Sequence, residues 1–159
     1  MLEVKIITVG SLKEAYLRDA INEYKKRLSS FSKIEIVELK EYKLPDDPSS
    51  KDIEKALFEE ADKILKAIPK KAYVIPLCVE GKQYSSEELA QRLEEILLVS
   101  GTVCFIIGSS HGLHDSVKES GELKLSISKL TFPHQLMRVM LLEAIYRAFN
   151  ITKGTKYHK

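Results

Sequence analysis

"VKIITVG", residues 4–10, decides the fold class. Strand residues alternate between two faces, and here both faces are apolar: Val4 and Ile6 on one, Ile7 and Val9 on the other. A strand apolar on both sides is covered on both sides, as in the centre of a parallel sheet flanked by helices. "GTVCFIIG" (101–108) repeats the pattern and also ends on glycine.

Between and around these runs the hydrophobic period switches between 2 and 3.6. Leu17, Ala20, Ile21, Tyr24, Leu28 and Phe31 are spaced for one face of a helix, and "KIEIVELK" (33–40) alternates as a strand with one wetter face. After a turn-rich loop, Ser49 or Ser50 can cap a helix whose stripe is Ile53, Leu57, Ala61, Ile64 and Ile68, stopped by Pro69. "AYVIPLCV" (72–79) is a third apolar strand. Its Pro76 lacks a donor and marks it as an edge, a bulge or a break. Ser85 and Glu88 are spaced as a capping box for a helix that turns Leu89, Leu93, Ile96 and Leu97 inward. A short helix after Asp115, a brief strand at "LKLSIS" and a long helix with Pro133 at its first position complete the chain. Strands alternating with helices predict an α/β fold, a mainly parallel sheet with helices on both faces, in one domain spanning residues 1–159.

Composition is that of an ordinary globular protein, 44% hydrophobic and 30% charged, which argues against disorder, collagen or a coiled coil. A chain of this size buries roughly 70% of its unfolded surface and needs no disulfide or metal staple. Cys78 and Cys104 lie inside apolar strands and read as buried free thiols, hence a reducing compartment. No apolar run is long enough for a signal peptide or a membrane span, so a cytoplasmic protein with no membrane partner is expected. The net charge of +2 gives no reason to expect DNA binding, but it is unevenly spread. From Pro133 to Lys159 five basic residues face one acid, a net +4 that leaves −2 elsewhere and points to an anionic partner near the C-terminus.

Ligands on such sheets bind beyond the carboxyl ends of the strands. Three loops qualify: "IIGSSHGLH" (106–114), whose glycines let backbone N–H groups approach a ligand, "SISKLTFPH" (126–134), rich in hydroxyls, and "CVEGKQYSS" (78–86). Together they can hold a nucleoside-sized ligand. The first is not a P-loop, no G-x-S-x-G elbow is present, and the four histidines lack zinc-type spacing, so no metal is expected.

Read together, "IIGSSHGLH", "LSISKLTFPHQLMRVMLLEAIYRAF" and the terminal "YHK" resemble the RlmH (YbeA-like) ribosomal RNA large subunit methyltransferases of the SPOUT superfamily. "VKIITVGSLKEAYLRDAINEYKKRL" and "VIPLCVEGKQYSSEELAQRL" fit as well, so the resemblance spans essentially the whole chain. It departs at Ser109, where the family usually has a second glycine. The resemblance implies S-adenosyl-L-methionine as cofactor and methylation of N3 of a pseudouridine in 23S ribosomal RNA. It also implies a homodimer and a SPOUT-type α/β knot, a C-terminal trefoil that general topology rules would not suggest. The family's cofactor contacts fall on Leu77, Gly108, Ser126, Ile127, Ser128, Lys129, Leu130 and Thr131.

Methylating a uracil-type N3 requires removal of its proton and stabilisation of the charge left on the ring. His134 and Arg138 are four residues apart on one helix face, next to the 126–134 loop. His134 is suited to proton transfer and Arg138 to holding a phosphate or a ring carbonyl. Tyr157 can stack on a base, and His158 can act as base or donor, reaching the cofactor of a partner subunit. Glu143 and Arg147 have the spacing of an ion pair. The weak net charge suits a compact enzyme acting on ribosomal RNA in the assembled ribosome. The competing readings are a SPOUT methyltransferase acting on transfer RNA and a non-catalytic, nucleotide-responsive RNA-binding module, which would have no need of a terminal histidine.

Overall fold

The computed structural model describes all 159 residues. In chain order the elements are β1 (Glu3–Val9), α1 (Ala15–Leu28), β2 (Lys33–Leu39), α2 (Ser50–Ala67), β3 (Tyr73–Lys82), α3 (Ser86–Val99), β4 (Thr102–Ile107), α4 (Asp115–Glu119) and α5 (His134–Lys153). The four strands form one parallel sheet in the order β2-β1-β4-β3. The two doubly apolar strands are its centre, as their pattern predicts, with Ile6 opposite Phe105 and Ile7 opposite Ile106.

Alternation along these strands separates two cores. Val4, Ile6, Val103 and Phe105 pack with α1, α3 and α5, while Ile7, Val9, Cys104 and Ile106 pack with α2 and α4. Burying each such side chain is worth roughly 1.5–3 kcal/mol, which holds a helix layer on either face. β3 is an edge strand, one of the three readings that Pro76 allows. It pairs with β4 only as far as Pro76 opposite Ile106.

Helix boundaries follow their caps. Ser49 accepts from the Asp52 backbone N–H and Asp52 returns the bond, and Ser85 and Glu88 do the same at α3. Pro133 is the N-cap of α5 rather than its first residue, so the helix begins on His134. Leu97 points to solvent with Leu98 and Val99, because α3 offers its Leu89–Leu93–Ile96 stripe to the core and Leu97 lies outside it. "LKLSIS" forms no strand. Only Leu125 makes bridge pairs, with Leu77 on one side and Lys82 on the other. Lys82 N–H donates to the Lys124 carbonyl, and Ser126 N–H donates to the Lys82 carbonyl. Residues 124–126 thus run between the two arms of the 77–82 segment.

Candidate active site

β1, β3 and β4 run in parallel, so the loops that follow them emerge on one side. The segment passing through 77–82 delivers residues 126–133 to the same place. The result is a cavity of about 630 Å³, within the usual size range of a small-molecule site. Seven of the eight residues expected to contact a cofactor line it: Leu77, Gly108, Ser126, Ile127, Ser128, Leu130 and Thr131. Lys129 does not; its side chain is exposed.

The serines of this loop organise the backbone. Ser126, buried, donates from its hydroxyl to the Ser128 carbonyl at 3.0 Å, and the Leu130 N–H donates to Ser128 Oγ at 3.0 Å. Gly108 is required by close approach: a Cβ there would stand 2.2 Å from the Gly112 carbonyl oxygen and 2.6 Å from its carbon. Since both atoms are backbone, Gly108→Ala must push the 108–112 turn out of place. For S-adenosylmethionine, the cofactor that the sequence resemblance implies, the expected outcome is at least tenfold weaker binding by calorimetry, roughly 1.4 kcal/mol or more. Wild-type affinity would show that the turn can move without affecting the cavity.

Four residues were expected to carry chemistry, and the chain treats them differently. His134, at the first turn of α5, lines the cavity and is half-buried. Burial, reinforced by the nearby Arg138 charge and opposed by Glu41, holds its pKa below the ordinary histidine value. Arg138 shares the helix face but turns inward and is buried. It donates to Glu38 Oε2 at 2.9 Å, to the Val9 carbonyl at 3.1 Å and to the Gly10 carbonyl at 2.7 Å. An arginine so engaged ties α5 to the ends of β1 and β2; only its Nε lacks a partner, and its burial turns it away from the surface where spacing suggested it would meet a phosphate or a ring carbonyl.

Tyr157 and His158 lie elsewhere. The Tyr157 hydroxyl donates to Glu143 Oε2 at 2.7 Å, and its ring packs edge-on to Tyr146 beneath the Arg147 guanidinium. Burial, with Glu143 adding to it, raises the Tyr157 pKa. His158 Nε2 is 2.8 Å from Glu87 Oε1, and Arg147 holds Glu143 at 2.6 Å. Glu143 is nine residues along α5 from His134, about 14 Å by helical rise, so a single chain does not bring the tail to the histidine.

A family model described as "Predicted SPOUT methyltransferase" matches residues 2–158. The chain belongs to the SPOUT methyltransferase family. Its curated relatives include two named ribosomal RNA large subunit methyltransferase H. That of Streptococcus uberis is 48% identical and that of Streptococcus suis 47%; each match covers 99% of this chain and 100% of the relative. Among solved structures, a probable methylase family protein from Haemophilus influenzae Rd KW20 has the same fold at a TM-score of 0.56. It is 14% identical, and the match covers 100% of this chain and 72% of that one.

In this SPOUT methyltransferase Ser109 has a partner that sequence patterns did not reveal. Its hydroxyl donates to Glu60 Oε1 at 3.1 Å, and Glu60 Oε2 accepts from the Tyr42 N–H at 3.0 Å. Both side chains are buried, and burial raises the Glu60 pKa against the pull of these two donors. The one available signal was helical spacing: Glu60 sits four residues before Ile64, on the buried side of α2. Cys104 is a buried thiol as expected, whereas Cys78 is half-buried and lines the cavity. Burial, together with the nearby Glu80, raises the Cys78 pKa, which keeps it a thiol rather than a nucleophilic thiolate. His114 is structural: it caps α4 and contacts Glu54 at 3.0 Å.

Proposed function

We propose that this SPOUT methyltransferase transfers the methyl group of S-adenosyl-L-methionine to N3 of a pseudouridine in the 23S ribosomal RNA of the large subunit. In this reading it is a cytoplasmic homodimer acting on the assembled ribosome, with residues 124–126 passing through the family's trefoil knot. The observation that carries the proposal is the gathering of Leu77, Gly108 and the 126–131 loop around one cavity with His134 on its wall. The names of the streptococcal relatives support the substrate class. No helix is long and apolar enough to cross a membrane.

The cavity fits the cofactor chemically. Leu77, Leu125 and Ile127 offer apolar surface to an adenine ring, and the hydroxyl-rich 126–131 loop offers polar groups to a ribose. S-adenosyl-L-methionine held there by Leu77, Gly108 and the 126–131 loop would supply an electrophilic methyl group for N3. The chain must remove the N3 proton. His134 is neutral at neutral pH because its pKa lies below the ordinary 6.5, so it can accept that proton directly or through water. α5 is apolar nearly all round, with Leu136, Val139 and Met140 incompletely covered in one chain. A helix of that kind is covered on more than one side, which supports a second copy packed against it. The partner's tail then brings Tyr157 and His158 to this chain's cavity. Arg138 acts as a positioning residue for His134.

The pH dependence follows. The acid limb of kcat/KM is expected below pH 6.5 and absent in His134→Asn; a limb above 6.5 would contradict the assignment. In the native state His134 resists protonation, so its contribution to stability is fully present above the unfolded value of about 6.5 and is lost as pH falls from there through the lower native value. The reaction itself is tested by offering methyl-labelled cofactor with assembled ribosomes, free ribosomal RNA or transfer RNA. Label is expected on ribosomes, and label on transfer RNA alone would overturn the substrate.

A further inference from the structure

A second opening lies beside the cofactor cavity. It measures about 540 Å³ and lies between the ends of β1 and β2 and the start of α5. His134 and Ser110 line both spaces, so they form the partition between them. The cleft borders the sheet's switch point, which lies between β1 and β4: Gly10 follows β1 and Ser110 follows β4. The chain leaves β1 outward to β2, while β3 and β4 fill the other side, and ligands gather where such connections diverge.

The chemistry of the cleft differs from that of the cavity. Leu39 is its one apolar lining residue. Gly10 forms part of its wall with φ +94°, a backbone conformation that side-chain-bearing residues rarely adopt. A Cβ on Gly10 would stand 3.5 Å from Glu41 Oε2, 3.9 Å from Arg138 Nη2 and 4.0 Å from His134 Nε2. Three functional atoms therefore converge on Gly10, where a Cβ would stand in ordinary contact with them and the positive φ is what selects glycine. Arg138, bound to the Gly10 carbonyl, holds this corner in place.

Resting on the methyl-transfer reading above, we propose that this cleft is the acceptor subsite, which receives a uracil-type nucleobase turned out of the RNA with its imide edge toward His134. An imide presents carbonyl, N–H and carbonyl in a row, so it calls for an acceptor flanked by donors. His134 Nε2 accepts from the N–H, and the Ser110 hydroxyl and the Gln135 amide are the donors available to the carbonyls. Lys13 and Lys40, also lining the cleft, supply cations for the flanking phosphates. His134 in the shared wall then faces both the nitrogen to be methylated and the cavity that holds the methyl group.

The test compares wild type, Gln135→Ala and Gly10→Ala for methyl transfer to assembled ribosomes and for S-adenosylmethionine binding by calorimetry. Both variants are expected to keep cofactor affinity within about twofold while kcat/KM for ribosomes falls at least tenfold, or about 1.4 kcal/mol. Gln135→Ala replaces a residue at the helix start with a strong helix former. It is expected to fold with an unchanged melting temperature even if the positive φ makes Gly10→Ala unstable. Wild-type kcat/KM in Gln135→Ala would overturn the subsite, as would a loss of cofactor affinity that matches the loss of turnover. No transfer by the wild-type enzyme to any RNA would instead overturn the methyl-transfer reading, so the two failures are distinguishable.

Discussion

A variant carrying Tyr157→Ala and His158→Ala is expected to lose at least about a hundredfold in kcat on ribosomes while binding S-adenosylmethionine as tightly as the parent, the scale usual for losing a positioned proton-transfer group. Cofactor binding should survive because neither residue lines the cavity of its own chain. The fold should survive because the tail is held at the surface. Tyr157 bonds Glu143 and packs on Tyr146, and His158 meets Glu87, an exposed partner worth little to stability. Loss of turnover with intact binding is therefore a signature of action in trans. Mixing this variant with a His134→Asn variant should restore part of the activity, since a mixed dimer owns one complete site. Full turnover by the double variant alone would remove the tail from the mechanism.

The second large effect is on stability. Arg138→Met should lower the unfolding free energy by about 3 kcal/mol, since removing one partner of a buried, charge-assisted network leaves the others unpaired. Here the abandoned groups are the Val9 and Gly10 carbonyls and Glu38, the last half-exposed and able to regain water. For a domain of this size that corresponds to a fall of roughly 6–12 °C in melting temperature. Turnover should fall with it, because the tie positions His134 and the corner at Gly10. The measurement separates two roles for Arg138. Lost activity at an unchanged melting temperature would mean that the guanidinium contacts RNA, as helix spacing alone suggested. A large thermal shift supports the buried tie.

Local patterns carried most of the architecture. Two strands apolar on both faces had to be central, Pro76 had to mark an edge, a bulge or a break, and Ser85 with Glu88 were spaced to start a helix. Each of these follows from residues only a few positions apart. What escaped depended on partners far along the chain. Arg138 finds Glu38 one hundred positions away, and Ser109 finds Glu60 forty-nine away. No periodicity records such pairs. Leu125 reads as part of a strand, yet its neighbours are Leu77 and Lys82 from the far part of β3, an arrangement that hydropathy cannot encode. At the site, the loops that line the cavity were legible through their glycines and hydroxyls. The acceptor cleft was not, because it is built from the ends of β1 and β2 and the start of α5, brought together only by folding.

The most direct test is to locate the methyl group. Purified protein is incubated with assembled ribosomes and methyl-labelled S-adenosylmethionine, and the large-subunit RNA is then digested to nucleosides and mapped by mass spectrometry. A single labelled position is expected, a pseudouridine of 23S ribosomal RNA carrying the methyl group on N3. Label on another nucleoside, on transfer RNA alone, or on no RNA despite measurable cofactor binding would contradict it.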